Sequence, residues 1–91
     1  MIKILKLATG DDIVSNVERK GDIYVLNKPH RLVMTREGLG SMPLCPFSKT
    51  TEYHIEARNV VFEAEPDDEI RDSYATATGS IVVASSGILA P

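Results

Sequence analysis

Across residues 1–65, short runs of alternating apolar and polar side chains are interrupted every few positions by Gly, Pro, Asn or Asp. No run keeps the 3.6-residue period of a long helix, so this stretch is restricted to short strands joined by tight turns. Ile2, Ile4, Leu5 and Leu7, with Lys3 and Lys6 between them, predict a first strand that ends in a turn at Gly10 and Asp11. Ile13, Ser15 and Val17 alternate with Val14, Asn16 and Glu18 as a second strand, and residues 19–22 read as a polar break. Residues 23–26 and 31–35 are rich in β-branched and aromatic side chains and predict one long third strand. Pro29 lies inside it and has no N–H to donate, so the strand should bend or bulge there.

Residues 36–40 contain Gly38 and Gly40 and predict a turn. Pro43 and Pro46 bracket Leu44 and Cys45, which makes residues 41–47 an irregular edge strand. After a polar loop at 48–51, residues 52–56 and 59–64 supply the last strands. Five or six strands in roughly 65 residues, without a helical period, predict a mainly β, small, strongly bent, antiparallel five-stranded open barrel. From Pro66 the period changes: Asp67, Asp68, Glu69 and Asp72 suit the positive end of a helix dipole, and Ile70 and Tyr74 form a narrow apolar stripe. The expectation is a short helix ended by Gly79, a further strand at residues 80–84, and a tail, with residues 66–91 an extension of the domain formed by 1–65.

Length sets the energetic problem. A chain of 91 residues has room for one domain. Its only cysteine, Cys45, cannot form an intramolecular disulfide, so burial alone must stabilise the fold, as in a reducing, cytoplasmic setting. Cys45 itself, beside Leu44 and Pro46, reads as a small buried apolar residue. Uninterrupted apolar runs such as residues 81–84 are far shorter than the roughly 20 residues that span a bilayer, so neither a membrane helix nor a secretory signal is expected. The aromatics are Tyr24, Phe47, Tyr53, Phe62 and Tyr74, a thin supply for a core. Open barrel edges would also expose unpaired backbone groups. Edge-to-edge pairing of identical copies answers both difficulties, and head-to-tail pairing closes into a ring when the rotation per copy permits.

Charge is unevenly distributed. The chain carries a net charge of -3, yet residues 1–50 hold eight basic and five acidic side chains, and residues 51–91 hold two basic and eight acidic ones. Bulk attraction to phosphate is therefore disfavoured, although a local basic face remains open to the first half. His30 and His54 have no His or Cys partner at metal-ligand spacing and read as structural or surface groups. The acids at 67–72 lack the alternating ligands and central glycine of a calcium loop, and Gly38-Leu39-Gly40 lacks the third glycine of a dinucleotide loop. No acid, base and nucleophile fall into a recognisable arrangement, so neither an enzyme nor a cofactor is expected.

One resemblance adds to this reading. The run from Leu5 through Gly10 to Val17 resembles the opening of Sm-like (Lsm and Hfq-type) proteins, and Asn59-Val60-Val61-Phe62 is similar to their last barrel strand. The acidic chain with an added segment after Pro66 also resembles small Sm-like proteins of marine phage origin. The resemblance implies a homomeric ring of roughly five to seven copies, an RNA-associated role and no catalysis. Where Sm-like RNA sites hold an Asp-x-x-Met-Asn run and an Arg-Gly step, this chain has residues 19–24 and Glu56-Ala57. A looser contact with single-stranded RNA or DNA is then implied, through Arg19, Lys20, Tyr24, Arg58 and Asn59. The alternative reading is a phage structural or adaptor ring that binds another protein through the acidic helix and tail.

Overall fold

The structure, a computed structural model, describes residues 1–79, so the strand expected at 80–84 and the tail lie outside the described residues. The chain forms β1 (Ile2–Leu7), β2 (Asp12–Lys20), β3 (Ile23–Thr35), β4 (Gly38–Pro43), β5 (Glu52–Glu56), a 3₁₀ turn (Ala57–Asn59), β6 (Val60–Ala64) and the helix α1 (Asp68–Thr78). All strand pairs are antiparallel, in the order β4-β3-β2-β1-β6, with β5 also paired to β3. The expected five strands are thus six among the described residues. β3 is long enough for two partners on one flank: β5 covers its residues 23–27 and β4 its residues 30–35.

Turn chemistry and pairing set the boundaries, and several differ from expectation. Arg19 and Lys20 pair with Tyr24 and Ile23, so β2 runs on to Lys20 and the break shrinks to Gly21 and Asp22. Gly21 supplies the positive φ of 60° that so tight a turn requires. β4 starts at Gly38, where pairing with Thr35 draws both glycines into the sheet, and ends at Pro43. Cys45, left in the loop that follows, is exposed rather than buried.

The bend at Pro29 takes a defined form. Between the pairs Val14 with His30 and Asn16 with Asn27, Ser15 alone intervenes in β2, whereas Lys28 and Pro29 intervene in β3. Two residues opposite one constitute a β-bulge. Lys28 adopts a φ of 54°, the only positive φ of a non-glycine residue among the described residues.

How far the sheet bends follows from its shortest crossing. Glu56 ends β5 beside Ile23, at the Lys20 end of β2, while Val60 begins β6 beside Leu7, near the Asp12 end of β2. In a flat sheet these positions would lie about 19 Å apart across the strands and about 27 Å apart along them. Four peptide steps reach at most about 14 Å. The sheet is therefore strongly curled, although β5 and β6 do not pair and it stays open. Leu5, Ile13, Leu26 and Tyr24 form the core, with Leu7, Val17, Tyr53, Ile55, Ala57 and Val60 packed against them.

On the other face of the sheet, Val14 shares its side with its partners Ile4 and His30 and is buried. α1 packs against β2 and presents buried Tyr74 and Ala75. Asp67 caps the helix by accepting the Ile70 N–H at 2.8 Å, and Gly79 closes it at a φ of 72°. Pro66, where the period changes, is buried just before that cap. No helix among the described residues is long and apolar enough to cross a membrane.

Candidate nucleic-acid interface

Four of the five residues singled out from the sequence, Arg19, Lys20, Arg58 and Asn59, are exposed at one corner, where the β2–β3 turn meets the 3₁₀ turn. Backbone bonds build that corner: the Ala57 N–H donates to the Asp22 carbonyl at 2.7 Å, and the Asn59 carbonyl accepts the Ala8 N–H at 2.8 Å. Cross-strand pairing sets Arg19 opposite Tyr24, and its guanidinium carbon lies 4.8 Å above the centre of the phenol ring. Arg19 Nη1 donates to the Tyr24 hydroxyl at 3.2 Å, and Nε donates to the Gly21 carbonyl at 2.6 Å. The same hydroxyl donates to Glu63 Oε2 at 3.0 Å, which joins β2, β3 and β6 across the curl.

Tyr24 is 5% exposed and covered by Arg19, so the described chain offers no open phenol face to a base. Its role is to fix the guanidinium. Arg19 is thereby pre-ordered with no carboxylate bonded to it directly among the described residues. The remaining cations are differently placed. Lys20 lies 4.0 Å from Glu18, an exposed and weak pair, and Arg58 Nε lies 2.5 Å from Glu56 Oε1. Cations and carboxylates therefore interleave here, and a phosphate chain reaching Arg58 would meet the charge of Glu56 beside it. Among the described residues, no cluster of three or more His, Cys, Asp or Glu could hold a metal ion.

A second polar junction lies at the β-bulge and was not read from the sequence. Tyr74 of α1 accepts the Asn16 N–H at 3.0 Å and donates to the Asn27 carbonyl at 2.8 Å, so one hydroxyl ties the helix to both strands. Ser15, fully buried, donates to the Asn16 and Asn27 carbonyls at 3.0 and 3.2 Å. Burial pushes the Tyr74 phenol above its ordinary value, opposed by its hydrogen bonds at Asn16 and Ser15. His30 meets Tyr74 edge to face, with ring centres 5.7 Å apart, and burial holds its imidazole below the ordinary value. His54 is exposed and pairs with Glu52 at 3.0 Å.

No family model and no curated protein matches the chain. The likeness to Sm-like proteins rests on the residues quoted for it, and the reading of the site rests on geometry. Glu63 was missed because pairing alone sets it beside Leu5, on the core side of an edge strand. Tyr74 was missed because nothing near it in sequence reveals the bulge it serves.

Proposed function

We propose that the chain is a non-enzymatic scaffold of the Sm-like kind, whose copies join edge to edge into a closed homomeric ring that contacts single-stranded nucleic acid, RNA in the first instance. The observation that carries this reading is a pair of unfilled sheet edges. Among the described residues, β6 pairs only with β1, and β4 and β5 pair only with β3. Large apolar side chains stand exposed beside both: Val61 and Phe62 on β6, Met34 and Leu39 on the β3–β4 hairpin, and Phe47 after β4. An unlike pair of edges on one molecule is what head-to-tail ring closure uses. Around a ring, Arg19, Lys20, Arg58 and Asn59 would recur once per copy and turn isolated charges into a band. A ring that docks another protein is the second reading, favoured by the carboxylates interleaved at the corner and by exposed Phe47.

Light scattering and fluorescence anisotropy test the proposal together. The expected results are a mass of several copies, reduced by Phe62→Lys, and an anisotropy rise with labelled oligo-U that added salt and Arg58→Glu both weaken. A folded monomer at micromolar concentration defeats the ring. A ring that leaves oligo-U and oligo-A unaffected at low salt transfers the reading to a protein partner.

A further inference from the structure

The β-bulge of β3, the β4–β5 loop and the end of α1 enclose a recess of about 400 Å³ on the molecule, within the range of roughly 300–1,000 Å³ typical of small-ligand clefts. Its charge is unlike that of the rest of the chain. Lys28 and Lys49 both line it, no Asp or Glu does so among the described residues, and the sequence has no acid after Asp72. Lys3, Lys6, Lys20, Arg58 and Arg71 each meet a carboxylate, whereas Lys28 and Lys49, like Arg19, Arg31 and Arg36, form no ion pair among the described residues. The Lys28 side chain donates from Nζ to the Thr78 carbonyl at 3.1 Å, which holds it at the recess with further N–H groups to offer.

Backbone geometry singles out the same residue. Lys28 has the left-handed φ of 54°, a conformation unfavourable for a residue with a Cβ. Its N–H donates to the Thr51 carbonyl at 2.6 Å, pinning the bulge to the mouth of β5. Such outliers persist where the surrounding structure holds them, and they concentrate at binding sites. The wall beside the lysines is suited to a planar group. Tyr53 lines the recess with a half-buried ring whose hydroxyl has no partner among the described residues, and Pro29 and Leu44 lie next to it. Ser48 adds a hydroxyl donor.

We propose that this recess is a nucleotide site, in which Lys28 and Lys49 hold a phosphate and Tyr53 packs on the base. Two cations without carboxylates supply the charge-assisted hydrogen bonds a phosphate needs, and an aromatic face beside them discriminates a nucleotide from a bare anion. The phosphate can belong to a free nucleotide or to a strand passing over the ring. The inference is independent of the corner described above: a protein that ignores oligo-U and takes up AMP at the recess would sustain it.

Calorimetric titration of the full chain with AMP, adenosine, inorganic phosphate and oligo-U is the test. AMP should bind, more weakly as salt is added, and adenosine should give no heat. Lys49→Ala and Lys28→Gly should each weaken AMP roughly tenfold. Glycine suits a positive φ, so Lys28→Gly removes the ammonium without threatening the fold. Oligo-U binding that falls in the same two variants assigns the phosphate to a strand, and its absence beside AMP binding assigns it to a free nucleotide. Absence of AMP binding at millimolar concentration overturns the proposal, as does AMP binding that survives the double variant. Inorganic phosphate binding as tightly as AMP overturns the role of Tyr53.

Discussion

Two tyrosines occupy opposite situations in this fold. Tyr24 and Tyr74 are both nearly inaccessible, and each hydroxyl joins separate elements. Tyr24 bonds to charged side chains, Arg19 and Glu63, whose free ends remain exposed at the rim. Tyr74 bonds to main-chain groups flanking the bulge, the Asn16 N–H and the Asn27 carbonyl, the second of which also accepts from Ser15. A side chain that loses a partner can turn to water. A peptide group held under a helix cannot. The corner can therefore rehydrate when a partner is removed, while the bulge is a fixed joint on which the helix depends.

Removing the joint altogether should have the largest effect. Tyr74→Ala loses a buried ring as well as both bonds and should cost about 3–5 kcal/mol in urea unfolding, with loss of helical circular dichroism ahead of the sheet signal. A result below the cost of an ordinary surface substitution would make the two tyrosines equivalent.

Deleting each hydroxyl alone sharpens the contrast. Tyr74→Phe strands the Asn16 N–H and leaves the Asn27 carbonyl to Ser15 alone, and should cost about 1–3 kcal/mol, with little dependence on salt. Tyr24→Phe leaves Arg19 and Glu63 free to hydrate and should cost about 0.5–1.5 kcal/mol, with a measurable dependence on salt. Equal losses, or salt sensitivity at Tyr74 instead of Tyr24, would break the comparison.

Acidity provides the smallest and most specific probe. His30 has a folded-state pKa below 6.5, so the unfolded chain takes up the proton first, and stability present above that value falls as pH drops through it. Tyr74 has a folded-state pKa above 10.0, so the unfolded chain ionises first, and stability falls as pH rises past that value. The helix joint is thus weakened at both extremes. Urea titrations at acid, neutral and alkaline pH should show the acid-side loss reduced in His30→Phe and the alkaline-side loss reduced in Tyr74→Phe. Unchanged slopes in these variants would separate the two groups from the joint.

Much of the fold was legible locally. The alternation of Ile13, Ser15 and Val17, the turn at Gly10 and the ring of Pro29 each act over a few residues, and the strands and the bulge appear where they indicate. The helix was legible for the same reason, since Asp67 and Gly79 cap it through neighbours in sequence. The misplaced boundaries have the opposite cause. Arg19 and Lys20 look like a polar break, yet pairing with Tyr24 and Ile23 keeps them in β2, and Gly38 joins β4 because Thr35 lies opposite it. Of the candidate site, Arg19, Lys20, Arg58 and Asn59 were named from the sequence for a nucleic-acid contact, and the ring of Tyr24, named with them, proves to be a support for Arg19. Lys28 and Lys49 went unremarked as a pair because 20 intervening residues separate them in the chain.

The sequence by itself determined that this chain makes short strands with sharp turns, a capped helix and too little apolar material for a large core. Propensity, periodicity and turn chemistry are local, and they need no knowledge of what lies across the molecule. Only the tertiary structure decided that the sheet curls until β5 and β6 are four peptide steps apart, that Tyr74 completes the bulge, and that two lysines share one recess. Those outcomes depend on which distant backbone groups are left unpaired when the sheet curls, and register and curvature settle that only once the whole chain has folded.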